Sequence, residues 1–365
     1  MFVYTIRRLF LIIPTILGIM AISFLIIQFA PGGPIERIIS QIDGNDNSAL
    51  SRVSGGFNGD FTQSGQSADI NNKYRGSQGL DPEFILELEK QFGFDKPPLE
   101  RFYLMITNYI RFDFGESYYR DIRVIDLIIE KLPVSVSLGL WMTLISYLIS
   151  IPLGMMKAVR DGTKFDLWTS TIIVISYALP GFLIAIFLII FFAGGSYLDW
   201  FPLRGLTSDN FNELSILGKV IDYIWHITLP LLSMVLAAFA TTTLLTKNSF
   251  LDEIGKQYVL TARAKGLTEK QVLKRHVFRN AMLIIVSGFP AAFISAFFTG
   301  SLLIETIFSL DGLGLLSFES IVNRDYAVVF ASLYIFSFIG LIINLISDLI
   351  YHWIDPRIDF EKRDL

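Results

Sequence analysis

Six stretches of the chain are long and apolar enough to cross a bilayer as helices: Leu9 to Phe29, Val134 to Met156, Thr169 to Ala193, Ile227 to Thr246, Met282 to Ile304 and Val329 to Tyr351. A hydrocarbon core of about 30 Å asks for about 20 mostly apolar residues per helix, because backbone polar groups must be satisfied within the segment where water is absent. The pattern predicts an all-α integral membrane protein with six transmembrane helices. Arg7 and Arg8 precede the first run, as they would in a secretory signal, but the run exceeds the about 7–15 apolar residues of such a signal. A retained span is expected.

The polar stretches between these runs predict the remaining organisation: an N-terminal span (1–29), a long segment (30–133), a five-helix core (134–352) and a short tail (353–365). In the long segment, Pro31-Gly32-Gly33-Pro34 stops the first helix. Residues 43–79 are rich in Gly, Ser, Asn, Asp and Gln, which bury too little apolar surface to order a chain, and read as a mobile loop. Asp81-Pro82 reads as an N-cap and first helical residue, Glu83 to Phe92 as a short helix and Gly93 as its stop, with a second helix from Pro98 to about Phe112. Together these form a small external subdomain. Inside the core, residues 247–281 break the apolar pattern. Phe250, Ile254, Tyr258 and Ala262 recur every four residues and predict one amphipathic helix continuing from the fourth span. Gly266 is placed to end it in a left-handed conformation, and Thr268 with Gln271 has the spacing of a capping box that starts a second helix bearing Lys270, Lys274, Arg275 and Arg279.

Charge adds an orientation. Basic residues in short connections stay preferentially in the cytoplasm. Arg7 and Arg8, then Lys157, Arg160 and Lys164, then the eight Lys and Arg between Lys247 and Arg279, then Arg357, Lys362 and Arg363 alternate with acidic connections around Asp209 and Asp311. Both termini and the 247–281 loop are expected in the cytoplasm. Of the 365 residues only 18% are charged, against about 25% in an average soluble domain, and the mean hydropathy is +0.53. The net charge of −4 excludes a dominant basic surface of the kind nucleic acid requires.

Candidate chemistry is sparse. The six predicted spans hold no Lys, Arg or Glu and one Asp, Asp348, beside Asn344, which reads as interfacial hydration or a helix-packing hydrogen bond. Ion-coupled transporters place ionisable groups at depth, so coupling to a proton or sodium gradient is disfavoured. An intramembrane enzyme needs a nucleophile and a base within reach; Ser146, Ser150 and Ser176 lie in spans without a His or Lys at depth. With no Cys, and His226, His276 and His352 far apart, a metal site is not expected. Gly218-Lys219 and Gly255-Lys256 lack the upstream glycine and following hydroxyl of a phosphate-binding loop, so any ATP hydrolysis must reside on other chains.

The basic loop has two physical readings, attraction to anionic lipid or docking to a protein. Its residues favour the second. Gln257-Tyr258-Val259-Leu260-Thr261-Ala262-Arg263-Ala264-Lys265-Gly266-Leu267, continued by Arg275-His276-Val277-Phe278-Arg279-Asn280-Ala281-Met282, resembles the EAA loop of dipeptide and oligopeptide ABC-transporter permeases. The likeness extends over nearly the whole chain, through Pro31-Gly32-Gly33-Pro34, Phe94-Asp95-Lys96-Pro97, Phe112-Asp113-Phe114-Gly115, Glu305-Thr306-Ile307-Phe308 with Gly312-Leu313-Gly314, Arg324-Asp325-Tyr326 and Asp355-Pro356-Arg357-Ile358. Gly33, Ile284 and Thr261 depart from residues common in such permeases. The resemblance implies a permease of the bacterial inner membrane that binds no cofactor. It implies as partners a second, similar permease, two ATPases and an extracytoplasmic binding protein that delivers peptide. It also implies that Tyr258 to Gly266 form the coupling contact: Tyr258 and Thr261 within it, Ala262 and Ala264 small enough for close approach, Arg263 and Lys265 free for carboxylates on the ATPase, and Gly266 at the turn. Arg275, His276 and Asn280 would brace the loop against the returning helix. The glycines of Asp311-Gly312-Leu313-Gly314 read as turn residues, and Asp355-Pro356 as the end of the last helix.

Overall fold

The computed structural model describes residues 2–29, 95–120, 122–193, 195, 197–298 and 302–354. The helix expected over 83–92, the polar loop over 43–79, the Pro31 to Pro34 stop and the tail beyond Ile354 lie outside the described residues. The described chain is helical: α1 (Phe2–Phe29), α2 (Pro98–Ile110), α3 (Val124–Val159), α4 (Lys164–Ala178), α5 (Gly181–Phe192), α6 (Ile216–Ile254), α7 (Gln257–Ala264), α8 (Glu269–Val272), α9 (Phe278–Phe298), α10 (Leu302–Ile307), α11 (Leu313–Asn323) and α12 (Tyr326–Ile354).

Among the described residues five helices are long and apolar enough to cross a membrane, and six spans result if α4 and α5 count as one. The expected span from Thr169 to Ala193 is bent, because α4 and α5 meet at 92°. Leu179 is extended (φ −91°, ψ 123°) and Pro180 precedes the first turn of α5. A residue before proline is driven out of the helical region by the ring, which accounts for the break. The fifth expected span, Met282 to Ile304, falls on α9 as far as Phe298 and on the first residues of α10, where Ile304 is buried.

The chain divides into two compact units. The larger holds most of the spans, with a core of Leu138, Ile173, Leu188, Ile227, Met234 and Phe308. Ser150, Gly154 and Ala158, spaced by four along α3, are the small residues that let α6 approach. Ser150 donates to the Phe239 carbonyl at 3.0 Å, and a Cβ on Gly154 would lie 2.6 Å from that of Thr246. Small residues at such spacing are the usual means of close helix crossing in lipid. At the far ends of these spans, Asp348 of α12 accepts from Tyr4 at 2.9 Å and pairs with Arg8 at 3.1 Å. This polar group therefore serves helix packing.

The smaller unit contains most of α1, α2, the loop after it and the start of α12. Its aromatic rings pack edge to face: Tyr109 meets Phe114 and Tyr334 with centroids 4.8 and 5.5 Å apart. Asp325 begins α12 and accepts from Ser117 Oγ at 2.5 Å and from the Tyr118 N–H at 3.4 Å.

Candidate functional site

The loop between α6 and α9 is built on its own small core. Phe250, Val259, Ala262, Val272, Val277 and Ala281 are buried together with Ala158 from the end of α3. The expectation of one helix running through Phe250 and Ala262 is corrected: α6 ends at Ile254, Gly255 caps it, and Lys256 is extended before α7 starts. The four-residue repeat survives the break because both helices turn the same kind of residue to one core.

The turn after α7 forms as the sequence predicts. Gly266 has φ +84°, its N–H donates to the Arg263 carbonyl at 2.9 Å, and Leu267 N–H reaches the Ala262 carbonyl at 3.4 Å. This pair of bonds with an apolar residue behind them is a Schellman closure, which satisfies carbonyls left open at the helix end. Gln271 Oε1 accepts from the Thr268 N–H at 3.0 Å, the reciprocal half of the expected capping box. The second helix is not a separate element. α8 passes through a π turn, Leu273–Val277, straight into α9. Val272 and Val277 are five residues apart and both buried, a spacing that the wider π turn brings to one face.

The expected site residues separate into three groups. Thr261, Ala264, Lys265 and Gly266 are exposed. With Gln257 and Leu260 they give positions 257, 260, 261, 264 and 265, one face of α7 turned outward, on which Leu260 is 49% exposed. Ala262 is buried, so its small size serves packing inside the loop and not approach by a partner. Arg263 pairs with Glu269 at 2.8 Å within the loop and is not free. Of the residues expected to brace the loop, Asn280 does so by donating to Tyr258 Oη at 3.2 Å. Tyr258 in turn donates to Glu253, which also pairs with Lys256. Burial and the Glu253 carboxylate push the Tyr258 hydroxyl above its ordinary range, so it remains a donor. Arg275 is exposed and His276 half-buried, and the structure gives neither a bracing bond. Gln257 lies outside the expected contact of Tyr258 to Gly266, and Leu260 lies within it without an expected role of its own. Their signal was the period fixed by Val259 and Ala262, which became readable only once those two were known to be buried.

The helices extend beyond the apolar runs, and the ionisable residues that flank those runs lie on these extensions. Lys157 in the last turn of α3 is fully buried and pairs with Asp166 at 2.9 Å, while donating to the Asp166 carbonyl, Thr169 Oγ1 and Ser170 Oγ. Lys247 of α6 pairs with Asp166 and Asp161, each at 2.8 Å. Two cations thus meet two carboxylates, and the cluster ties the α3–α4 turn to the helix from which the loop departs. His226, in α6, is buried beside Asp222, whose carboxylate accepts from Ser208. Its Nδ1 lies 2.8 Å from the Asp222 carbonyl oxygen. The serine bonds the aspartate and not the imidazole, so these three groups do not form a nucleophile with its base.

Residues 150–360, which hold α4 to α12 and the whole loop, match the family described as binding-protein-dependent transport system inner membrane component. This chain belongs to that family. It is 67% identical over 363 residues to the peptidoglycan transport system permease protein YejB of Agrobacterium fabrum (strain C58 / ATCC 33970), covering 99% of each chain. It is 57% identical over 361 residues to the inner membrane ABC transporter permease protein YejB of Escherichia coli O157:H7, again covering 99% of each. The oligopeptide transport system permease protein AppB of Bacillus subtilis (strain 168) is 32% identical over 358 residues, 98% of this chain and 99% of that one. The permease is an integral inner-membrane subunit of an ABC transporter, a transport component and not an enzyme. Permeases of this family work with further permease, ATPase and binding-protein subunits.

Proposed function

We propose that this permease is one of two membrane subunits of an ATP-driven importer of oligopeptides, and that the outward face of α7 is its contact with the ATPase. The observation that carries the reading is that face: Gln257, Leu260, Thr261, Ala264 and Lys265 on a short helix whose opposite side is locked to the spans. A rigid mount lets movement of a docked subunit reach α3, α6 and α9 without being absorbed in the loop. Nucleotide binding closes the ATPase pair, the α7 elements move with it, and the spans open a path outward to peptide delivered by an extracytoplasmic binding protein.

Gly266→Val tests the docking role. A Cβ at Gly266 meets nothing within 4 Å, so the substitution acts only through the left-handed backbone, at a cost of about 1–2 kcal/mol. The variant should insert and accumulate normally while ATPase co-purification and peptide uptake fall several-fold. Neutralising Lys270, Lys274 and Arg279 together would instead impair a lipid-binding loop. Normal uptake in the valine variant, with loss only in the triple variant, removes the docking role.

The loop must face the cytoplasm for this assignment. A reporter active only outside the cytoplasm should work when fused near Gly79, Asp209 or Asp311, and fail near Gly162 or Gly266. The reverse pattern at two sites overturns the orientation.

A second reading of the cargo has its own support, since the relative at 67% identity is named for peptidoglycan transport. Competition between labelled oligopeptides and peptidoglycan fragments for uptake separates the two.

A further inference from the structure

We infer that α2 is an interfacial membrane helix, with Leu99, Tyr103 and Ile110 inserted into lipid beside the spans. The helix is held at two points whose depth the spans define. Near its start, Arg101 donates to Gln28 at 2.5 Å and lies over the Phe24 ring at 5.8 Å, and Phe102 meets the same ring at 5.4 Å. The apolar stretch of α1 runs from Tyr4 to Gln28, so at 1.5 Å per residue these contacts fall within about 6 Å of its end. Near the end of α2, Tyr109 packs on Tyr334, eight residues into α12, or about 12 Å along that span. Phe24 and Phe330 stack at 6.1 Å, which brings the end of α1 beside the start of α12. A helix fixed at both ends to these levels lies at the boundary of the hydrocarbon and not out in the solvent.

The surface of α2 is divided accordingly. Phe102 and Tyr109 face the packed interior. On one flank Leu99 (84% exposed), Tyr103 (70%) and Ile110 (69%) form an apolar stripe. At about 100° per residue the exposed Asn108 lies about 160° around the helix from that stripe, with Thr107 and the exposed Glu100 between the two. Exposed apolar side chains of this size are costly in water, about 1.5–3 kcal/mol for each large one. Near the end of α1, Leu25 and Ile26 are also exposed, at 59% and 63%. A tyrosine among aliphatic residues, with an amide on the opposite flank and an acid beside them, is the composition of a helix lying in the headgroup boundary.

The chain has no cysteine, so an introduced one is its only thiol, and the complex with the unsubstituted permease gives the labelling background of the other subunits. Tyr103→Cys and Leu99→Cys on the apolar flank, and Asn108→Cys on the polar flank, replace exposed side chains and leave the packed face intact. Each is labelled with an environment-sensitive dye in the full-length permease with its co-purifying subunits. The complexes are reconstituted in phosphatidylcholine vesicles with or without lipid brominated near the headgroup end of the acyl chain. Brominated lipid should quench the dye at 103 and 99 at least threefold more than at 108, and aqueous iodide should show the opposite order. Equal iodide quenching at all three sites would place the helix in water. Protection of 103 and 99 from both quenchers would mean that a protein subunit covers the stripe. Either result overturns the inference.

Discussion

Replacing Lys157 by Met should lower the stability of the permease by about 3 kcal/mol or more, the cost of leaving a buried carboxylate without one of its two cations. Lys157 is fully buried and supplies Asp166 with an ion pair at 2.9 Å, and three further acceptors lie within 3.0 Å of its ammonium. Lys247 remains to Asp166 in the variant, which keeps the loss at the lower end of the range. Lys164→Met is the control, because Lys164 is exposed, and a surface change of that kind stays within about 0.5 kcal/mol. At about 2–4 °C per kcal/mol, the unfolding midpoint in detergent should drop by roughly 6 °C or more for Lys157→Met and hold for Lys164→Met. Asp161→Asn should fall between them, since Asp161 is half exposed and pairs with Lys247. If Lys157→Met unfolds at the midpoint of the Lys164 control, the cluster is not a structural tie.

That cluster marks where the sequence stops being legible. The spans are readable because a bilayer demands long apolar runs whatever the tertiary structure, and the turn at Gly266 because a left-handed residue between two helical patterns has few alternatives to glycine. Thr268 and Gln271 were readable for the same reason: a cap is made by residues three apart. The bend at Leu179-Pro180 was not, since proline inside an apolar run is tolerated in many membrane helices. Lys157 and Lys247 look like flanking basic residues in sequence, and only the fold brings them to Asp166, nine and eighty-one residues away. The same limit hid the outward face of α7. Eight residues cannot fix a helical phase, and the inward side is chosen by contacts with α3 and α9.

Gly312→Ala should destabilise the larger unit by about 3 kcal/mol or more, although Gly312 was read as a turn glycine. It is not among the residues of positive φ, so conformational freedom is not what the position requires. The requirement is space. Glu305 is fully buried, accepts from the Leu315 N–H at 2.7 Å and from Ser135 Oγ at 3.2 Å, and lies directly over Gly312. A Cβ there would stand 2.5 Å from the carboxyl carbon and force the carboxylate off its donors. Hydrogen bonds to a charged group contribute about 1.5–3 kcal/mol each, and donors left buried and unmet add to the loss. Gly340→Ala, within α12 and with nothing inside 4 Å, is the matched control and should be neutral or slightly stabilising. Glu305→Ala alone should also be costly, because Ser135 and the Leu315 N–H lose their acceptor. In that background, however, the three atoms nearest the added Cβ at Gly312 are gone, and its further cost should shrink to less than about 1 kcal/mol. A cycle built from the two single variants and the double variant measures this directly, and interacting neighbours give a coupling well above the about 0.5 kcal/mol scatter of independent sites. Additive losses would show that the glycine and the carboxylate act separately, and that a turn requirement at Gly312 outweighs the space Glu305 needs.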